Sequence, residues 1–143
     1  MTYLNNLKDE VVIAAETHLN KGESLKLIAN ARNHGRHAAA SPAVANANDT
    51  KGHSGGMFMS TLKHMDSMFL SIGVEGLCPN PRLIFNATMC ADTCVITAGC
   101  YLYVGMGVKD ENADILMRLM ALSDGGRRCV IATGDFNITA EAM

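Results

Sequence analysis

Between Arg82 and Asn137 two apolar runs, a helical pattern and a third apolar run follow one another, and this order restricts the chain to few architectures. Arg82-Leu83-Ile84-Phe85-Asn86-Ala87-Thr88-Met89 opens behind a proline and partly alternates in polarity, while Thr93 to Val104 is rich in β-branched and aromatic residues and closes on Gly105 and Gly107. Both read as strands. Asp92 between them predicts a tight hairpin. Asp110 can cap a helix whose apolar positions Ile115, Leu116, Leu119, Met120 and Leu122 keep the 3.6 period until Gly125-Gly126. Arg128 to Thr133 is then a further strand, reached through a helix rather than a turn.

Upstream, Val11 to Ala15 is an unbroken apolar run that predicts a strand buried on both faces. Leu25, Leu27, Ile28 and Ala31 follow Ser24 at near-helical spacing and stop before Gly35, so a short helix is expected there. From Ala38 to Ser54 the chain is small and polar, and a long loop is expected. Gly56-Met57-Phe58-Met59-Ser60-Thr61-Leu62 predicts another strand. Hairpins combined with a crossover helix give an α+β class: a mixed β-sheet with flanking helices.

Composition narrows the function. With 143 residues and 48% hydrophobic content the chain is one domain or part of one and can bury a core. A formal net charge of -2 supplies no global field for nucleic acid, so any hold on a polyanion must be local. No segment approaches a membrane span, and Lys8, Asp9 and Glu10 stand where a signal peptide would be apolar, so an intracellular protein of cytoplasm or nucleus is expected. The cysteines number 5, an odd count. Cys90, Cys94 and Cys100 lie in or beside apolar runs and are expected to be reduced core thiols rather than metal ligands.

Gly134-Asp135-Phe136-Asn137 is the sharpest chemical signal. A glycine at the strand end lets the backbone turn, and Asp135 and Asn137, two apart in extended chain, project to the same side. A carboxylate beside an amide can position a water and a phosphate oxygen together. Taken alone, the pair also fits a simple turn in which the two side chains bond their own backbone.

This segment, preceded by a helix with Asn112, Ile115 and Leu119, resembles the endonuclease/exonuclease/phosphatase superfamily. Val11 to Leu19, with Glu16-Thr17-His18-Leu19 at its end, is similar to the family's strand ending in a metal-binding glutamate, in the form found in retrotransposon-type endonucleases. Ser54-Gly55-Gly56 resembles the glycine pair that opens the next strand, and Gly99-Cys100-Tyr101-Leu102 the phosphate-contacting Tyr segment. The resemblance implies that Glu16 ligates Mg²⁺ or Mn²⁺, Asp135 orients or deprotonates the attacking water, Asn137 holds the scissile phosphate and Tyr101 hydrogen-bonds it. It also implies a Mg-dependent phosphodiesterase, an endonuclease with DNA as its nucleic-acid substrate.

The chain departs from the family pattern at both ends. Only Met1 to Leu7 precede the glutamate strand, with Asn5 or Asn6 as stand-ins for the first metal ligand. After Asn137 only Ile138 to Met143 follow, where the family continues to a Ser-Asp-His segment. Residues 1–143 are therefore expected to be a single partial domain, about half of the family's four-layer α/β sandwich, lacking most of the first strand, the C-terminal half and one of two sheets. Catalytic function competes with two alternatives: a catalytically dead retroelement or gene remnant, and a small α/β binding module.

Overall fold

The computed structural model describes residues 10–45, 53–70, 73, 75–105 and 107–136. Along the chain these form β1 (Val11–Ala15), α1 (Lys21–Asn33), β2 (Arg36–Ser41), β3 (Val44–Ala45), β4 (His53–Ser54), β5 (Met57–Leu62), β6 (Ser67–Phe69), β7 (Leu83–Cys90), β8 (Thr93–Tyr101), α2 (Asp110–Leu122) and β9 (Cys129–Asp135). Strands β1, β5 and β2 make an antiparallel sheet in that order. A second sheet runs β6-β7-β8-β9, antiparallel except for the parallel β8–β9 pair that α2 connects. Strands β3 and β4 form a small ribbon apart.

The layers follow from the period-two alternation of the strands. Ala38 and Ala40 of β2 and Phe58 of β5 face outward and pack beneath Leu27, Ile28 and Ala31 of α1. Ala39, Met57 and Met59 face the other way and meet Ile84 and Tyr101 of the second sheet. Beyond that sheet, Ile115 and Leu119 of α2 cover Leu83, Ala98, Cys100 and Leu102. The order helix, sheet, sheet, helix is a four-layer sandwich. The sheets approach closely at Gly99, where an added methyl would sit 2.6 Å from the Ile13 side chain and 3.1 Å from that of Met57.

Helix α1 begins where Asn20 closes a capping box: its side chain accepts from the Glu23 N–H at 3.0 Å, and Glu23 accepts in return from the Asn20 N–H at 3.0 Å. Helix α2 has Lys109 at its cap with no side-chain bond, so the cap expected of Asp110 is not formed and Asp110 sits in the first turn. What anchors α2 instead is Asn112. Its side chain accepts from the Tyr103 N–H at 2.7 Å and donates to the carbonyls of Tyr103 at 3.0 Å and Gly107 at 2.9 Å.

Several expectations are corrected. The expected loop from Ala38 to Ser54 contains β2, β3 and β4 among its described residues. Alanine has little strand preference of its own, but a strand squeezed between a helix and a second sheet needs small side chains, and β2 pairs with β5 along its whole length. The expectation of one missing sheet also fails, since two sheets stack and their inner faces cover each other. Apolar exposure falls elsewhere. Strand β9 lies at the sheet edge with Ile131 55% exposed, and Met117 and Met120 point outward from α2. Strand β1 is half-buried rather than buried, and among the described residues it too stands at the edge of its sheet. Cys100 is buried, but Cys90 and Cys94 are exposed, since everything from Met89 to Cys94 projects from the uncovered end of the β7–β8 hairpin.

Candidate active site

The two sheets end together, and a glycine pair ties them there. Glu16 follows the last residue of β1 and takes a left-handed backbone with φ 51°. The next two residues return to the sheet: the N–H of Thr17 bonds the Gly56 carbonyl and that of His18 the Gly55 carbonyl, each at 3.1 Å. Gly56, at φ 88°, then donates its N–H to the Pro81 carbonyl at 2.9 Å, which joins the opening of β5 to the opening of β7. No other residue serves at Gly56, because a β-carbon would lie 2.6 Å from the Thr17 hydroxyl as well as strain the backbone.

Tyr101 ends β8 on the inner face, 7% exposed. The Glu16 carboxylate beside its hydroxyl, together with burial, raises the phenol above its ordinary range, while the Arg82 guanidinium pulls it down. Asp135 ends β9 and is the register partner of Tyr101, so the two side chains share the inner face of the sheet. Its carbonyl accepts from the Leu102 N–H at 2.9 Å. Asp135 is exposed because β9 is an edge. Gly134 before it stays side-chain-free of necessity, since a β-carbon there would overlap the Cys100 carbonyl of the neighbouring strand.

Glu16, Tyr101 and Asp135 are thus brought to one end of the sandwich, but by two stacked sheets and not by the edge of one. Asn137, Asn5 and Asn6 lie outside the described residues. The residue that the sequence did not single out is Arg82. It precedes β7 and is only 6% exposed, with its guanidinium carbon 3.6 Å from the centroid of the Tyr103 ring and 4.7 Å from that of Tyr101. It donates from Nη2 to the Ser54 hydroxyl at 2.8 Å, and its own N–H bonds the Asn80 side chain at 2.8 Å. The only sequence signal for it was a lone arginine opening a strand after Pro81, with tyrosines at 101 and 103 elsewhere to receive it.

Among the described residues no three His, Cys, Asp or Glu side chains converge, so a closed transition-metal site is not built. One or two carboxylates at strand ends instead suit a hard cation that keeps most of its waters. A cavity of about 120 Å³ adjoins the site, lined by Asn80, Arg82, Tyr103, Glu111 and Asp114 among others. A larger one, about 260 Å³, is mostly apolar and lies between β7 and α2, away from these groups.

No protein-family profile matches the chain, and no curated protein is similar to it in sequence. Solved structures do match. The human Nocturnin catalytic domain with bound sulfate superposes at TM-score 0.53 and 14% identity, over 92% of this chain and 52% of that one. The 3′ phosphatase NExo from Neisseria, bound to product DNA hairpin, gives 0.54 and 17% over 96% and 51%. ANGEL2, a 2′,3′-cyclic phosphatase in complex with adenosine-2′,3′-vanadate, gives 0.62 and 13% over 95% and 42%. The chain therefore spans about half the length of each. At such identities it is the architecture that is shared, and what the superpositions show is that this chain has the fold of the endonuclease/exonuclease/phosphatase superfamily over about half of that fold's extent.

Proposed function

We propose that the chain carries part of a divalent-metal phosphodiesterase site, that of a nuclease acting on DNA. The observation that supports this best is the meeting of Glu16, Tyr101, Arg82 and Asp135 where both sheets end, on a fold whose solved examples include proteins bound to a DNA hairpin and to an adenosine vanadate. Hydrolysis needs a water deprotonated as it attacks phosphorus, neutralised phosphoryl oxygens and a stabilised departing oxygen. Asp135, exposed at its strand end, orients the water and takes its proton. Tyr101 donates to a phosphoryl oxygen, and Asn137 holds the same phosphate. Mg²⁺ or Mn²⁺ held by Glu16 would supply the charge neutralisation. The left-handed backbone at Glu16 supports the reading, because such strain collects at functional positions.

The test is hydrolysis of a fluorogenic DNA hairpin in Mg²⁺ or Mn²⁺ over long incubations, against RNA and a soluble inositol phosphate. Slow DNA cleavage that falls about 10²-fold or more in Asp135→Ala and in Glu16→Gln supports the proposal. Cleavage indifferent to both substitutions overturns it, and binding of metal and phosphate without cleavage selects a non-catalytic binding module.

A further inference from the structure

Arg82 is a buried cation with an unfinished hydrogen-bond set. Its Nη2 bonds Ser54, but its Nη1 is fully buried and has no acceptor among the described residues. The ion pair among those residues is Arg118 with Asp114, exposed and on α2, so no carboxylate pairs with Arg82 there. A buried guanidinium without a counter-charge is costly, and an unbonded buried donor adds to the cost. Yet the side chain is held firmly. Its guanidinium lies over the Tyr103 ring, whose backbone is fixed from both sides by Asn112. A fixed cation with a spare donor is what an anion site requires.

We propose that Arg82 is a positioning residue for a bound phosphoryl group, fixing the Tyr101 hydroxyl and completing its own hydrogen bonding when the anion enters beside Tyr101. This rests on the site proposed above. The anion is placed on the Tyr101 side because the strand ends of the proposed site lie there, with Asp135 in register beside Tyr101, whereas Glu111 and Asp114 line the cavity on the Tyr103 side. The guanidinium lies against two rings and so is held by stacking as well as by hydrogen bonds, which an ammonium cannot reproduce.

Inorganic phosphate is the probe, titrated into the full chain without metal and followed by calorimetry and by ³¹P line width. Arg82→Met, uncharged but of similar length, is expected to lose about ten- to a hundredfold in affinity, the size of one hydrogen bond to a charged group. Arg82→Lys should recover only part of the loss. Should Arg82→Met fail to fold, Tyr103→Leu, which removes the stacking platform and leaves the charge, is expected to weaken binding several-fold at unchanged far-UV dichroism. No phosphate binding by the wild type, or binding unchanged in folded Arg82→Met or in Tyr103→Leu, overturns the inference. The two proposals fail separately. Arg82-dependent phosphate binding in a chain whose Mn²⁺ affinity ignores Glu16→Gln leaves the anion site and removes the hydrolase reading, whereas Mn²⁺-dependent turnover with unchanged KM in Arg82→Met does the reverse.

Discussion

Gly99→Ala tests the stacking of the two sheets at one atom. Gly99 sits in β8 opposite Ile84, and a methyl added there would lie 2.6 Å from Ile13 Cγ2, 3.1 Å from Met57 Cε and 3.3 Å from Ile84 Cγ2. Carbon atoms do not approach to 2.6 Å, so β1 must move outward or Ile13 must change rotamer. Overpacking of this kind costs about 1–3 kcal/mol. Part of it is offset, because alanine reduces the freedom of the unfolded chain by about 0.4–1 kcal/mol relative to glycine. The net loss is then about 1–2 kcal/mol, which in a domain of this size lowers the melting temperature by about 3 to 10 °C. The partner substitution is Ile13→Leu, which removes Cγ2 and moves the branch one carbon out. Alone it should cost less than about 1.5 kcal/mol, and in the double variant it should restore about half of the Gly99→Ala loss, a coupling measurable in a double-mutant cycle. Thermal and urea denaturation of the four proteins supply the numbers. A Gly99→Ala protein as stable as the wild type, or a double variant whose losses simply add, would refute the close contact between β1 and β8.

Two further outcomes follow from burial. At pH 8 iodoacetamide should label Cys90, Cys94 and Cys129 in the folded protein and spare Cys78 and Cys100, which are buried and whose thiols burial pushes up to about 11; only about one in a thousand of those two is then thiolate, and mass spectrometry of the labelled peptides reads the pattern. Asn112→Leu should destabilise the fold by about 2–4 kcal/mol in urea titration, because it removes three hydrogen bonds and leaves the Tyr103 N–H and two carbonyls short of partners.

How much was legible in the sequence varied with how local the cause was. Strand β1 was read with its observed bounds because five apolar residues follow a charged triplet, and the β7–β8 hairpin and α2 because their periods are long and clearly bounded. Strand β2 was missed, since Arg36-His37-Ala38-Ala39-Ala40-Ser41 has no strand signal of its own. It is a strand because β5 offers it a ladder and because only alanine-sized side chains fit between α1 and the opposite sheet. The second sheet was missed for the same reason, as which sheet a strand joins is decided by pairing across dozens of residues. At the candidate site, Glu16, Tyr101 and Asp135 could be named because the segments that carry them resemble the family's motifs. Arg82 could not, because its meaning comes from Tyr101, Tyr103 and Ser54, all distant in sequence. The exposed thiols of Cys90 and Cys94 were hidden by their apolar neighbours, since exposure there reflects where the hairpin projects beyond the sandwich.

The most direct test of a metal-dependent phosphate site is Mn²⁺ titrated into isotope-labelled protein, with paramagnetic broadening of each backbone amide as the readout. The ion needs only the site, not turnover. Broadening should begin at Glu16, Thr17, Tyr101, Leu102 and Asp135, the residues that the two sheets bring together, and should be shifted to at least tenfold higher Mn²⁺ by Glu16→Gln, as expected for the loss of the one carboxylate that holds the ion. Broadening centred on another part of the surface, or the same pattern at the same concentration in Glu16→Gln, would contradict the assignment of this end of the sandwich as the active site.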